Sequence, residues 1–384
     1  MNPVLKLLPL LLAAMLVACS SAKDNTEQPA ELTVIRDPLS LKRNWEIETG
    51  ASANAASYRL RPLYSDNRIY SIDTRGTIVC LDATYGTTLW RYSTGLRAIA
   101  GLGGNSELLL VTSRDGEIAA YRHAAEEGLE ESWKIRIDSE IRAIPVVDGE
   151  QVFVRSVDGR LRGLSAADGS QLWVVTRRVP PLSLTGNSEP LVAGGLVFSG
   201  FDDGKLVAFE RDNGEIRWES TISVPSGRTE VERMVDLDGR FALRNGIIYI
   251  SSFQGRLAAV QATSGDLLWS REFSSFQPIA VDDRAIYLSD DKSHLWSIDL
   301  RTGSALWKQD VLNARKITGP AVLGEHVVVA DLDGLLHWFN REDGKLVRRI
   351  HIGFARSYAQ PLVVGDAVVT VDKYGQLTSV SVNR

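Results

Sequence analysis

Cysteine, histidine and carboxylate side chains are where this 384-residue chain could do covalent, metal or acid–base chemistry, and their spacing argues against most of it. The five histidines, His123, His294, His326, His337 and His351, are scattered, and none stands at metal-ligand spacing from another His or a Cys. His326 and His337 come nearest, but they flank a turn and belong to different strands. The pairs Asp115-Gly116, Asp158-Gly159, Asp203-Gly204 and Asp333-Gly334 offer carboxylates but lack the flanking ligands of a calcium loop. A hairpin turn favours Asp-Gly for backbone reasons alone. There is no Gly-x-Ser-x-Gly elbow and no phosphate-binding loop. These absences assign no catalytic residue, no metal ligand and no cofactor. A net charge of −5 leaves no basic excess for nucleic acid.

One residue does carry a chemical expectation. Met1 to Ala18 has a single positive charge, Lys6, followed by an apolar stretch from Leu7 to Val17. That is too short for a membrane span and fits a signal peptide. It ends Leu16-Val17-Ala18-Cys19, which resembles a bacterial lipobox, with the Cys19 thiol as acceptor for diacylglycerol. Cleavage before Cys19 would leave a lipoprotein whose new N-terminus carries three acyl chains such as palmitate. Each buried CH₂ is worth ~0.8 kcal/mol, so two or more chains anchor stably. Ser20, in place of Asp, resembles the outer-membrane sorting signal of Gram-negative lipoproteins. The other cysteine, Cys80, sits among Ile78, Val79 and Leu81 and reads as a small core residue in a strand. Residues 19–44, polar and carrying Pro29 and Pro38, read as a flexible tether, with the folded body at 45–384.

The body is organised by a repeat. Its clearest copy is Lys205 to Trp218, a strand, an Asp212-Asn213-Gly214 turn and a second strand ending in Trp. Gly86 and Trp90, Gly169 and Trp173, Gly214 and Trp218, Gly265 and Trp269, and Gly303 and Trp307 recur at the same spacing. Each of eight units also has an earlier turn, at Gly76, Gly116, Gly159, Gly204, Gly255, Ser293, Gly334 and Gly375. The period of roughly 40–45 residues has room for four short strands, and no helical periodicity follows the signal. Unit two carries an insertion around Ala124–Glu130, and unit seven has Arg348 where Trp is expected. Unit eight ends before its Trp, while a spare one stands at Trp45 in Lys42–Thr49. The economical reading is an all-β, eight-bladed β-propeller of four-stranded blades, closed into a ring by the N-terminal strand. A β-sandwich array would leave Trp45 unexplained. A buried Trp hides about 150–250 Å² and suits the junction between blades.

Two connections break the rhythm, Arg177–Pro190 and Ser223–Gly239. They join consecutive units, so they should lie close together on one face, where loops make binding surfaces.

The segments Leu81–Trp90 and Ile298–Trp307 resemble the repeat of pyrroloquinoline-quinone propellers. That likeness implies the fold and not the cofactor, and keeps a periplasmic quinoprotein dehydrogenase or ligand binder as the alternative function. The lipobox, the tether, eight such repeats and the N-terminal closing strand together resemble the BamB family. That family is the lipoprotein subunit of the outer-membrane β-barrel assembly machinery. Val179–Pro190 and Gly227–Asp238 resemble the family's P-S-L-S-L-R-G-x-S-x-P and G-S-T-E-I-x-R-x-x-D-V-D segments. The resemblance implies a non-enzymatic scaffold, anchored in the outer membrane and facing the periplasm. Its partner would be a POTRA domain of BamA, and unfolded outer-membrane clients could add to exposed strand edges. It implies apolar contacts from Leu182 and Leu184, and charge or loop rigidity from Asp236 and Asp238. Thr185 stands where the family has Arg, and Arg177, Arg178 or Arg228 are candidates to supply that charge.

Overall fold

Eight four-stranded antiparallel sheets form the ring, and in seven of them the strands follow in chain order from the innermost to the outermost. The computed structural model describes residues 27–36, 38–50, 60–124, 128–180, 188–224, 237, 239–252, 255–353 and 355–383. Blade 4 is representative, with strands Leu191–Ala193, Leu196–Gly200, Lys205–Glu210 and Ile216–Thr221. The two middle strands are buried almost throughout, because blades pack against both of their faces. Cys80 lies on such a strand, fully buried, and burial pushes its thiol up to about 11.

The eighth sheet is composite. Leu362–Val364, Ala367–Val371 and Gln376–Val382 supply three strands, and Leu41–Glu48 pairs with the last of them from Leu41↔Val382 to Glu48↔Gln376. This is the expected closure. The closing strand starts at Leu41, four residues ahead of Trp45. Leu39 and Leu41 account for the difference, since both pack into the core between blades 7 and 8.

The Gly–Trp spacing has a mechanical cause. In each blade the third and outermost strands slip register beside the Trp position, leaving one residue bulged, as between Ala208↔Trp218 and Phe209↔Ile216. A bulge bends a strand and re-aims its side chains. The closing strand carries the same slip between Arg43 and Trp45, so it is a true outermost strand. Each Trp then lies over the turn of the next blade. Trp218 Nε1 donates to the Ala262 carbonyl at 3.0 Å, and a Cβ on Gly265 would stand 2.6 Å from the Trp218 ring. Gly265 also has φ +78°, so both its backbone and its lack of a side chain are required. Trp45, Trp133, Trp173, Trp269 and Trp307 repeat the arrangement on Ala83, Ala166, Arg211, Leu300 and Arg341.

The exceptions follow from the same rule. Blade 8 has no turn between its last two strands, because those strands come from opposite ends of the chain. Blade 7 therefore has nothing for a Trp to cover, and Arg348 stands there. In blade 2 the insertion around Ala124–Glu130 lengthens the turn, and Trp90 instead packs edge-on against His123 at 5.8 Å. Gly255 differs from the other early-turn glycines. It begins a strand, and its Cβ position is filled by Ser252 and Ser223 Oγ atoms.

Blade 7 buries a charged group. Asp331 Oδ2 accepts from Arg315 Nε at 2.7 Å and from His337 Nε2 at 2.9 Å, with Asp331 and His337 both fully buried. Burial pushes His337 below its ordinary value, against the pull of the Asp331 carboxylate. Burial would raise Asp331, but the hydrogen bonds from His337 and Arg315 outweigh it and hold the carboxyl low. Both shifts mean that the folded chain binds fewer protons than the unfolded one in acid, so both remove stability as pH falls. The histidine share starts near its ordinary value of ~6.5. Urea unfolding at pH 7, 6 and 5 should show a steeper loss in the wild type than in His337→Gln. Parallel losses would contradict this assignment.

Candidate interaction face

Antiparallel strands place the turns of each blade alternately on two faces. One face carries the turns between strands one and two and between three and four; we call it the turn face. The other, the loop face, carries the middle turn and every connection between blades. Arg177–Pro190 and Ser223–Gly239 are such connections, leading from blade 3 to 4 and from blade 4 to 5. Both therefore leave the loop face. Leu182, Leu184, Thr185, Asp236 and Asp238, like Cys19, lie outside the described residues.

What the structure describes is how the two loops are rooted. At the start of the first, Arg177 Nη1 binds Glu219 Oε2 at 2.6 Å and Arg177 Nη2 lies 3.5 Å from Asp203 Oδ2. The Arg177 guanidinium also lies 5.3 Å from the centre of the Phe201 ring, which buried Arg155 covers at 4.6 Å. Lys205, then Arg177, hydrogen-bond Glu219 and hold its carboxyl below the ordinary range. Arg177 thus serves the body, whereas Arg178 is exposed. At the loop's other end, buried Ser188 accepts from the Gly200 N–H at 3.2 Å.

Glu189 joins the two connections. Its Oε2 is 3.2 Å from Arg61 Nη2 in blade 1 and 3.6 Å from Arg240 Nε, the residue that follows the second loop. Sequence reasoning missed this bridge, and it also missed Leu237. Only 2% exposed, Leu237 packs into the core shared by blades 4 and 5. It is the apolar residue between Asp236 and Asp238, and that alternation was the available signal. Burying it pins the middle of the Asp-Leu-Asp run to the ring. A groove of about 810 Å³ opens between the outer parts of blades 4 and 5, lined by Ile222, Val224, Arg256, Leu267 and Phe273 among others. Val224 and Leu267 are exposed there.

Of the Asp-Gly carboxylates, Asp158, Asp203 and Asp333 are ion-paired with Arg160, Arg177 and Arg315, and the Asp residues that open other early turns are engaged by backbone. Asp73, Asp290, Asp331 and Asp372 each accept two turn N–H groups on Oδ1. Among the described residues, no three His, Cys, Asp or Glu side chains are grouped to hold a metal.

A family model described as outer membrane protein assembly factor BamB matches residues 37–125, 74–309 and 299–384. The chain belongs to the BamB family. Proteins named outer membrane protein assembly factor BamB are similar along almost their whole length. That of Alkalilimnicola ehrlichii is 37% identical over 365 residues, covering 95% of this chain and 94% of the relative. That of Burkholderia pseudomallei is 33% identical over 366 residues, 94% of each. Among solved structures, BamB from Moraxella catarrhalis superposes with a TM-score of 0.80 at 22% identity, over 89% of this chain and 99% of that one. A quinohemoprotein alcohol dehydrogenase from Comamonas testosteroni shares the ring as well, with a TM-score of 0.71 at 11% identity over 90% of this chain and 77% of that one. At these identities, likeness to BamB and to the dehydrogenase speaks to fold alone, and family membership rests on the sequence matches.

Proposed function

We propose that this BamB-family chain is a non-enzymatic scaffold of the outer-membrane β-barrel assembly machinery. It binds the periplasmic POTRA region of BamA through the Arg177–Pro190 and Ser223–Gly239 loops and assists insertion of outer-membrane proteins. Leu182 and Leu184 supply the apolar contact, Thr185 takes the place of a family arginine, and Asp236 and Asp238 fix or charge the second loop. The supporting observation is Glu189, which ties the inner ends of both loops together on one face. Two loops so rooted act as one surface, and pre-organisation lowers the entropic cost of binding. The relatives' shared name, assembly factor, agrees with this reading. Immobilised protein body should capture the purified periplasmic region of BamA in a saturable manner. No capture at micromolar concentrations would reject the partner.

Anchoring is proposed through acylated Cys19. Cys19→Ala should move the protein from the membrane fraction to the soluble periplasm, as followed by fractionation and acyl labelling. Unchanged membrane association of the variant would rule the anchor out.

A further inference from the structure

Part of the segment read as a flexible tether is held to the ring at Ala30. The Ala30 N–H donates to the Asn313 carbonyl at 2.9 Å, and the Ala30 carbonyl accepts from Arg315 Nη1 at 3.1 Å. Asn313 Nδ2 donates to Glu27 Oε1 at 2.7 Å. Arg315 is only 4% exposed, and its Nε and Nη2 are taken by Asp331 and Asp333. The nitrogen offered to Ala30 is therefore fixed in place. With both N–H and C=O paired, Ala30 is bound as a strand residue is. Farther along, the Leu39 N–H donates to the Val347 carbonyl, at the start of the outermost strand of blade 7.

These contacts lie on opposite faces. Asn313 and Arg315 belong to the connection from blade 6 to blade 7, on the loop face. Val347 and the first residue of the closing strand, Leu41, lie at the turn face. The chain between Ala30 and Leu39 passes from one face to the other along the outside of the ring.

We infer that Glu27–Ala30 is a docked strap that fixes the face from which the N-terminus leaves the ring and how far the ring can stand from its attachment. At ~3.3–3.6 Å per extended residue, an undocked chain from Cys19 to Leu41 reaches about 73–79 Å and leaves from the turn face. Docked, the chain from Cys19 to Glu27 reaches at most about 26–29 Å and leaves from the loop face beside blades 6 and 7. For a chain acylated at Cys19, the strap turns the face carrying the two irregular loops toward the membrane and shortens the leash almost threefold. The membrane consequence rests on the anchor reading above; the docking does not.

Ala30→Pro removes the donated N–H from a residue outside the ring, so it releases the strap without disturbing a blade. Two dye positions report orientation in mature protein on phospholipid vesicles carrying an acceptor lipid: Tyr374→Cys on the loop face and Glu342→Cys on the turn face, both exposed. In the wild-type background, energy transfer from the Tyr374→Cys label should exceed that from the Glu342→Cys label at least twofold, and Ala30→Pro should abolish the difference. Equal transfer from the two faces of vesicle-bound wild type, or a difference that survives Ala30→Pro, would overturn the strap's role. A second measurement needs no lipid. In soluble Cys19→Ala protein, the Ala30 amide should exchange at least tenfold more slowly than in an unstructured chain, and exchange at the unstructured rate overturns the docking. Protein that fails to bind vesicles while keeping Ala30 protected would reject the anchor and uphold the docking.

Discussion

Trp218→Ala is expected to cost about 3–5 kcal/mol of folding stability, the range for truncating a buried aromatic residue to alanine. Against a total of about 5–15 kcal/mol for a folded domain, that is a large fraction. The loss has three parts. The ring packs against Phe198 at 5.7 Å, its Nε1–H is donated to the Ala262 carbonyl, and its face covers Gly265. The last two span the junction between blades 4 and 5, so the variant loosens the ring and not only one sheet. Leu306→Ala is the matched control. Leu306 is a bulged neighbour of another such tryptophan, is 56% exposed, and should cost under about 0.5 kcal/mol. Denaturant unfolding of both variants compares them directly, and a Trp218→Ala loss as small as that of Leu306→Ala would refute the interlock.

This junction also marks how far the sequence could be read. The Gly-to-Trp spacing was visible because both residues sit on one hairpin, close along the chain. It implied eight blades, and the unmatched Trp45 located the closure. The physical meaning of the spacing was not visible, because each Trp acts on the hairpin of the next blade, 33 residues away from Trp133 to Ala166 and 44 from Trp218 to Ala262. Hence Arg348 looked like a lapse in the pattern, although blade 8 has no turn for a Trp to cover. The rooting of the loops was illegible for the same reason. Glu189 meets Arg61 across 128 residues of sequence, and no local pattern announces a single ion pair between distant blades. Leu237 is hard to single out because it stands alone between two aspartates in an irregular connection, without the run of alternating apolar residues that marks a strand. The polar stretch before Leu41 read as a tether because composition reports a missing apolar face, and Ala30 is docked through its backbone, which composition does not register.

The second large effect concerns the proposed partner. Removing two leucine side chains from an apolar contact should cost about 1.5 kcal/mol or more each. Together that is about 3 kcal/mol, or roughly a hundredfold in affinity. The fold should be spared, since Arg177, Ser188 and Glu189 root the two ends of the loop. Arg178→Ala tests whether an exposed charge beside the loop contributes in place of the arginine that Thr185 replaces; a rim charge is worth far less, and its effect should be within about 1 kcal/mol.

Calorimetric titration of the soluble body with the periplasmic region of BamA tests the central claim most directly. The wild type should bind saturably, and Leu182→Ala/Leu184→Ala, with an unchanged unfolding midpoint, should bind roughly a hundredfold more weakly. Equal affinity of the two proteins would contradict the assignment of the loop face as the docking surface.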